Sequence, residues 1–341
     1  MAISSTLKTW KEVRGYHSWS ALIGNGFSIY LWDRFKYDAL YRIACSKKVS
    51  VPLSKNVRRV FRFRKTTNFE EVLESLSTAS YVDSLNGGSS KKFITTLRRN
   101  TRNGLASALQ WVHVPPCCVD LALLCNRLQR FRAVYTTNYD LTIYWSMIED
   151  TAAFADFFWA QGGYFDPFDA RIRGNRVPVF FLHGGLHLRK DKSGNNFKVK
   201  ANQGALLNQL VKDLRQGASR PLIVTEGTHG AKYQRIEEAP YLRFAIDQLK
   251  RDSRSLVVLG QSLSPKFDLH LVEAINENRN RCVAVGLWKG IGKNRIVQEK
   301  ARLRDTIKVA RRVFFDIETH PLFDKSLRLQ PTDNARRWGY L

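Results

Sequence analysis

"SALIGNGFSIYLWDRF", residues 20–35, is the stretch on which the fold turns. An apolar run enters a small glycine turn, GNGFS, and leaves it as an aromatic-rich segment, the sequence form of a strand handing over to a helix. The turn is too short for a P-loop and lacks the spacing of the dinucleotide fingerprint. By itself it says only that backbone approaches something closely at this point.

Working outward, similar apolar runs recur at 132–136, 177–182, 221–225, 255–259, 281–287 and 311–315, with the first at 20–24. Most are continuous, like "SLVVLG", as strands buried on both faces require, and longer segments of helical character separate them. The pattern predicts an α/β fold, a Rossmann-like parallel sheet with helices on both faces. About a hundred residues part the first two runs, too many for one crossover. In that interval "TTNFEEVLESL" starts a helix, with Thr67 and Glu70 spaced as a capping box, and 91–112 and 119–131 read as two more on either side of Pro115-Pro116. The expected organisation is one domain over 1–320, a helical insert at about 65–131 after the first βα unit, and an irregular tail at 321–341. "NGGSS" at 86–90 and "DKSGNN" at 191–196 read as loop tips.

The chain has 341 residues, 44% of them hydrophobic, enough for a sizeable core. No run of 18 apolar residues occurs, and "MAISSTLKTWKEVRG" is polar where a signal peptide would be apolar, so a soluble, cytoplasmic protein without membrane contact is expected. Five cysteines, an odd number without a CxxC pair, suggest neither a disulfide framework nor a metal site. The net charge of +25 points to an anionic partner, and the excess is concentrated at 47–65 and 279–312. A solvated basic surface explains it as well as nucleic-acid binding does, because charge alone carries no base readout.

In an open α/β sheet, ligands bind beyond the carboxyl ends of the strands, so the residues just after each run come first. Four turns stand out: Gly24-Asn25-Gly26-Phe27-Ser28, Thr136-Thr137-Asn138-Tyr139-Asp140, His183-Gly184-Gly185 and Gly260-Gln261-Ser262-Leu263. The first could present main-chain N–H groups and the Ser28 hydroxyl to a pyrophosphate. Asn138 offers an amide for a ribose hydroxyl or a water, and Asp140 could cap the next helix. His183 is suited to act as base, with glycines leaving room beside it; Gly260 and Ser262 could hold a second ribose. Each turn also has an ordinary structural explanation, as tight turn, cap or core histidine. His187 and His229 are alternative candidates for the histidine.

The ordered set GNGxS, TTNYD, LHG and GxSL resembles the NAD-binding domain of sirtuins, and more nearly the bacterial sirtuin-like NAD-cleaving domains of anti-phage defence. The likeness runs from Leu22 to Trp288. It implies NAD as substrate, Asn138 and His183 as the catalytic pair, and Gly24, Asn25, Gly26 and Ser28 as the pyrophosphate loop. It further implies Gly260, Gln261 and Ser262 at the adenosine ribose, with Leu287 and Trp288 near adenine. Asp33, Arg34 and Phe35 fall near the sirtuin lid without its spacing, and the four-cysteine zinc module is missing. Both departures favour water over acyl-lysine as acceptor. The resemblance therefore implies an NAD glycohydrolase of antiviral defence, released by homo-oligomer assembly or a partner defence protein. The alternatives are a weakly catalytic NAD or ADP-ribose module that recruits nucleic acid, and an NAD-dependent deacylase.

Overall fold

The computed structural model describes residues 3–15, 18–113, 118–199, 206, 209, 220–224 and 229–329. The chain opens with α1 (Trp10–Arg14), capped by a Thr9–Glu12 capping box, and enters β1 (Trp19–Ile23), whose five residues are all buried. A short helix, α2 (Asn25–Leu31), begins directly at the glycine turn.

Among the described residues five helices fill the interval before the next strand: α3 (Tyr37–Ala44) and α4 (Lys55–Arg64), which precede the expected insert at about 65–131, and α5 (Phe69–Leu85), α6 (Lys91–Val112) and α7 (Leu121–Leu128) within it. Val57 and Phe61 of α4, Phe69, Val72 and Leu76 of α5, and Leu97, Leu105 and Leu109 of α6 are buried in the common core. The capping-box expectation is corrected here. Asn68, not Thr67, is the N-cap of α5, its Oδ1 accepting from Glu70 N at 2.9 Å. Glu70 turns elsewhere. Pro115-Pro116 lie outside the described residues.

β2 (Val134–Thr136), α8 (Thr142–Glu149), β3 (Phe154–Ala155), β4 (Val177–Phe181), β5 (Gly184–Lys190), β6 (Asn196–Lys198) and β7 (Arg220–Ile223) follow. The remainder is α9 (His229–Glu237), α10 (Pro240–Arg251), β8 (Ser255–Leu259), α11 (Pro265–Glu277), β9 (Cys282–Leu287), α12 (Lys293–Thr306) and β10 (Arg311–Asp316).

Seven strands form one sheet in the order β10-β9-β8-β1-β2-β4-β3, every neighbouring pair parallel. From β1 the chain steps one way, to β2 and β4; from β8 it steps the other way, to β9 and β10. Right-handed crossovers moving in opposite directions put their helices on opposite faces of the sheet. The expected Rossmann-like fold is what the structure shows, and its switch point lies between the neighbours β1 and β8.

The run at 221–225 differs from expectation. It forms β7, which leaves the parallel sheet and pairs antiparallel with β5 in a three-stranded sheet, β6-β5-β7. Gly184, at φ 75°, turns the chain back after β4 so closely that a Cβ there would lie 1.8 Å from Leu222 O. Only glycine tolerates both.

Beyond β10, Leu322, Phe323 and Leu327 are buried, with the Phe323 ring 5.8 Å from that of Phe27 and 4.9 Å from that of Tyr30. This segment packs behind the glycine turn, and Leu329 N donates to Leu31 O at 2.9 Å. Residues 330–341 of the expected tail lie outside the described residues.

Candidate active site

The loops after β1 and β8 touch. Gly24 N donates to Leu259 O at 2.9 Å and Gly26 N to Gly260 O at 2.8 Å. A Cβ on Gly26 would stand 2.7 Å from Gly260 Cα, and one on Gly260, at φ 70°, 2.6 Å from Phe27 N. These glycines are needed for the loops to meet, whatever else they face.

Beside them the loop after β2 is fixed by Thr137 N donating to Ile23 O at 3.0 Å. Thr137 Oγ1 donates to Gln261 Oε1 at 2.7 Å, tying the β2 loop to the β8 loop. Asn138 Nδ2 donates to Ser28 Oγ at 2.8 Å, and Ser28 Oγ donates to Asp140 Oδ2 at 2.5 Å. Asp140 Oδ1 accepts from Thr142 N at 2.9 Å, at the start of α8. Asn138 Oδ1 is buried with no partner among the described residues. A buried, unpaired acceptor costs about 1–3 kcal/mol, and such groups in a native fold call for a ligand or water.

His183 follows β4 at the register position Asn138 holds after β2, since Thr136 pairs with Phe181. Its Nε2 lies 2.8 Å from His270 Nε2, contributed by α11. One of the two nitrogens must carry the hydrogen and the other accept it. Burial, then the Lys232 charge, then His270 push the His183 imidazole well below its ordinary pKa, so it is neutral near pH 7.

A charge network adjoins the loop after β8. Lys232 Nζ lies 3.0 Å from Glu70 Oε2 and 3.4 Å from Asp268 Oδ1. Burial alone would lower the Lys232 pKa; the two carboxylates outweigh it and hold the ammonium charged. Burial raises that of Asp268 against the pull of Lys232. Asp268 Oδ2 accepts from Gln261 Nε2 at 2.8 Å, and the Tyr139 hydroxyl lies 3.1 Å from Glu70 Oε1. Ser262 Oγ is 3.4 Å from Asp268 Oδ2, while Arg302 on α12 donates to the Ser262 and Leu263 carbonyls at 2.6 and 2.9 Å.

The structure thus gathers Gly24, Gly26, Ser28, Asn138, Asp140, His183, Gly260, Gln261 and Ser262 at one end of the sheet, with half-buried Asn25 opening α2. His187 is elsewhere, stacked on Tyr144 at 4.2 Å between ring centroids. The His229 side chain lies outside the described residues. Asp33, Arg34 and Phe35 form a 3₁₀ turn whose Phe35 packs 5.5 Å from the His113 ring. Trp288 is exposed at the end of β9. Glu70, Lys232, Asp268 and His270 escape sequence reasoning; Glu70 in particular is masked by its capping spacing.

The basic run at 279–312 is partly internal. Arg281 is buried and donates to Asp252 O at 2.7 Å, and the buried Lys300 donates to Ser4 O and Thr6 O at 2.9 and 2.5 Å. The run at 47–65 stays exposed along α4. Among the described residues no group of three or more His, Cys, Asp or Glu is placed to hold a metal, and no helix is long and apolar enough to cross a membrane.

Buried histidines set an acid limit. His320, its ring 4.7 Å from that of Trp10, is depressed to about 3 by burial and then by Arg127; His183 and His187 are depressed as well. Between the ordinary value of 6.5 and about 3, the unfolded chain carries a proton on residue 320 that the folded chain rejects. Stability therefore falls as pH drops below that ordinary value, by up to about 1.4 kcal/mol per pH unit for each such histidine. Urea titrations from pH 7 down to pH 5 should show this slope, and His320→Asn should remove one histidine's share.

A solved complex described as Sir2 with a p53 peptide and NAD+ is similar at TM-score 0.38 and 13% identity, covering 95% of this chain and 94% of that one. A search of curated proteins gave no significant match. The model of one family, described as a domain of unknown function, DUF4917, matches residues 21–323, and so this chain belongs to the DUF4917 family.

Proposed function

We propose that the chain cleaves NAD at the bond between nicotinamide and ribose, with water as acceptor, giving nicotinamide and ADP-ribose. The observation that carries this reading is the buried Asn138 Oδ1, without a partner among the described residues, at the carboxyl end of β2 beside the switch point. A bound ribose hydroxyl or water would supply its missing donor. The ordered turns that resemble sirtuin-like NAD-cleaving domains support the same substrate.

In this reading the C1′–N bond breaks with its electron pair going to the pyridinium nitrogen, so nicotinamide leaves neutral and needs no general acid. Asn138, oriented by Ser28 and Asp140, positions the ribose and water. Neutral His183 takes the proton of the water as the new C1′–O bond forms. The contact to His270 restricts how. If His183 Nε2–H donates to His270 Nε2, the Nδ1 lone pair of His183 is free to act as base; the opposite tautomer leaves it no free lone pair. His270 is thus a positioning residue. The glycine loops would carry the pyrophosphate, and Gly260, Gln261 and Ser262 the adenosine ribose; Ser28, buried between Asn138 and Asp140, serves the catalytic amide.

Both catalytic side chains are buried, at 4% and 2% exposure, which fits a covered resting form opened by assembly or by a partner. A role in antiviral defence rests on the motif resemblance alone. The test is chromatography of the products from NAD, with and without an acyl-lysine peptide and DNA. ADP-ribose without peptide supports hydrolysis, an acyl-ADP-ribose product would make the protein a deacylase, and binding without turnover would leave an NAD-binding module.

A further inference from the structure

At the opposite end of the sheet, where the strands begin, lies a cleft of about 950 Å³. Among the described residues six arginines line it, Arg14, Arg127, Arg130, Arg132, Arg176 and Arg254, and no carboxylate does. Arg127 is 3.5 Å from Asp324 and Arg254 is 2.7 Å from Asp252, so these two are already paired from outside the wall. Arg14, Arg130 and Arg132 are exposed, with no ion pair among the described residues. Helix dipoles account for basic residues at the ends of α1 and α7. They do not account for Arg132, Arg176 and Arg254, each of which stands just before a strand.

The frame behind these side chains is fixed. Arg132 N donates to Trp19 O at 2.9 Å, and Arg254 Nη1 donates to Arg132 O at 3.1 Å. Trp10 and Trp19, with centroids 5.3 Å apart, close the back. Charges of one sign converging on a concave site focus the potential there, and guanidinium groups pair bidentately with phosphate oxygens.

We propose that this cleft is a second ligand site, separate from the candidate active site, for a nucleoside polyphosphate. Its volume lies at the upper end of the range of about 300–1,000 Å³ for small-molecule sites, far more than a lone phosphate fills. Ile172, 48% exposed, gives it an apolar edge for a base. A single nucleic-acid strand needs a track of about 4–16 nucleotides. The cleft is sized for one nucleotide, and the basic run along α4 is exposed and does not line it. The six residues from Arg132 to Asn138 span about 20 Å at strand rise, so the two sites are distinct.

The test is calorimetric titration of the full chain with ATP, inorganic tripolyphosphate and a single-stranded oligonucleotide of about 12 residues. Expected is saturable ATP binding that weakens about tenfold or more in the double variant Arg130→Gln, Arg132→Gln, and likewise in Arg176→Gln on a separate segment. The control pair Arg58→Gln, Arg62→Gln on α4 should bind ATP as the wild type does, and tripolyphosphate should bind more weakly than ATP. Thermal melts establish that each variant is folded. Absence of saturable ATP binding, equal losses in cleft and α4 variants, or cleft-dependent binding of the oligonucleotide alone would overturn the assignment.

Discussion

If the chain cleaves NAD as proposed, His183→Ala and Asn138→Ala are each expected to lower NAD turnover by about 100-fold or more while the chain stays folded, the usual contribution of a positioned acid–base group. The loss should fall on kcat, with NAD affinity little changed, because in the proposed reaction both groups act on the ribose and water, while the pyrophosphate and adenosine contacts are assigned to other loops. The fold survives for a local reason. Without the Asn138 amide, Ser28 still donates to Asp140, and Asp140 still accepts from Thr142 N. Without the His183 ring, His270 keeps its place on α11, which is buried through Leu271, Val272 and Ile275. Nicotinamide release measured beside a thermal melt separates lost chemistry from lost structure. A His270→Gln variant should show an intermediate loss, again in kcat, since it removes the partner that selects the His183 tautomer.

Lys232→Met is expected to cost about 3–5 kcal/mol of folding stability, because it strands the buried Asp268 and the half-buried Glu70 carboxylates without a counter-charge. That is a large share of the roughly 5–15 kcal/mol by which a domain is stable. The three residues come from α5 in the insert, α9 and α11, so the variant loosens the joint between the insert and the sheet. Adding Glu70→Gln and Asp268→Asn to Lys232→Met removes the stranded charge and should recover most of the loss. Urea denaturation of the single and triple variants measures both numbers, and an additive series would show that the three do not form one network.

The parallel sheet is legible because strands buried on both faces must be continuous apolar runs, and β1, β8 and β9 are such runs. β5 is not, since "GGLHLRK" carries two glycines and three basic or imidazole side chains, and only pairing with β6 and β7 makes it a strand. β3 has two residues, too few for any periodicity. The strand-end turns are legible because backbone geometry confines ligands to those ends. The charge network is not. Lys232 lies 162 residues from Glu70, and the Glu70 side chain has a sufficient local explanation in the spacing to Thr67. Asp268 and His270, two apart on one helix, show no pattern until α11 is laid over the loop after β8.

The most direct measurement of the central claim is incubation of the purified chain with NAD, followed by quantification of nicotinamide and ADP-ribose against an Asn138→Ala control. Equimolar release of the two by the wild-type chain, lost in the variant, is the predicted result. Intact NAD with the wild-type chain, or equal release by both, would contradict it.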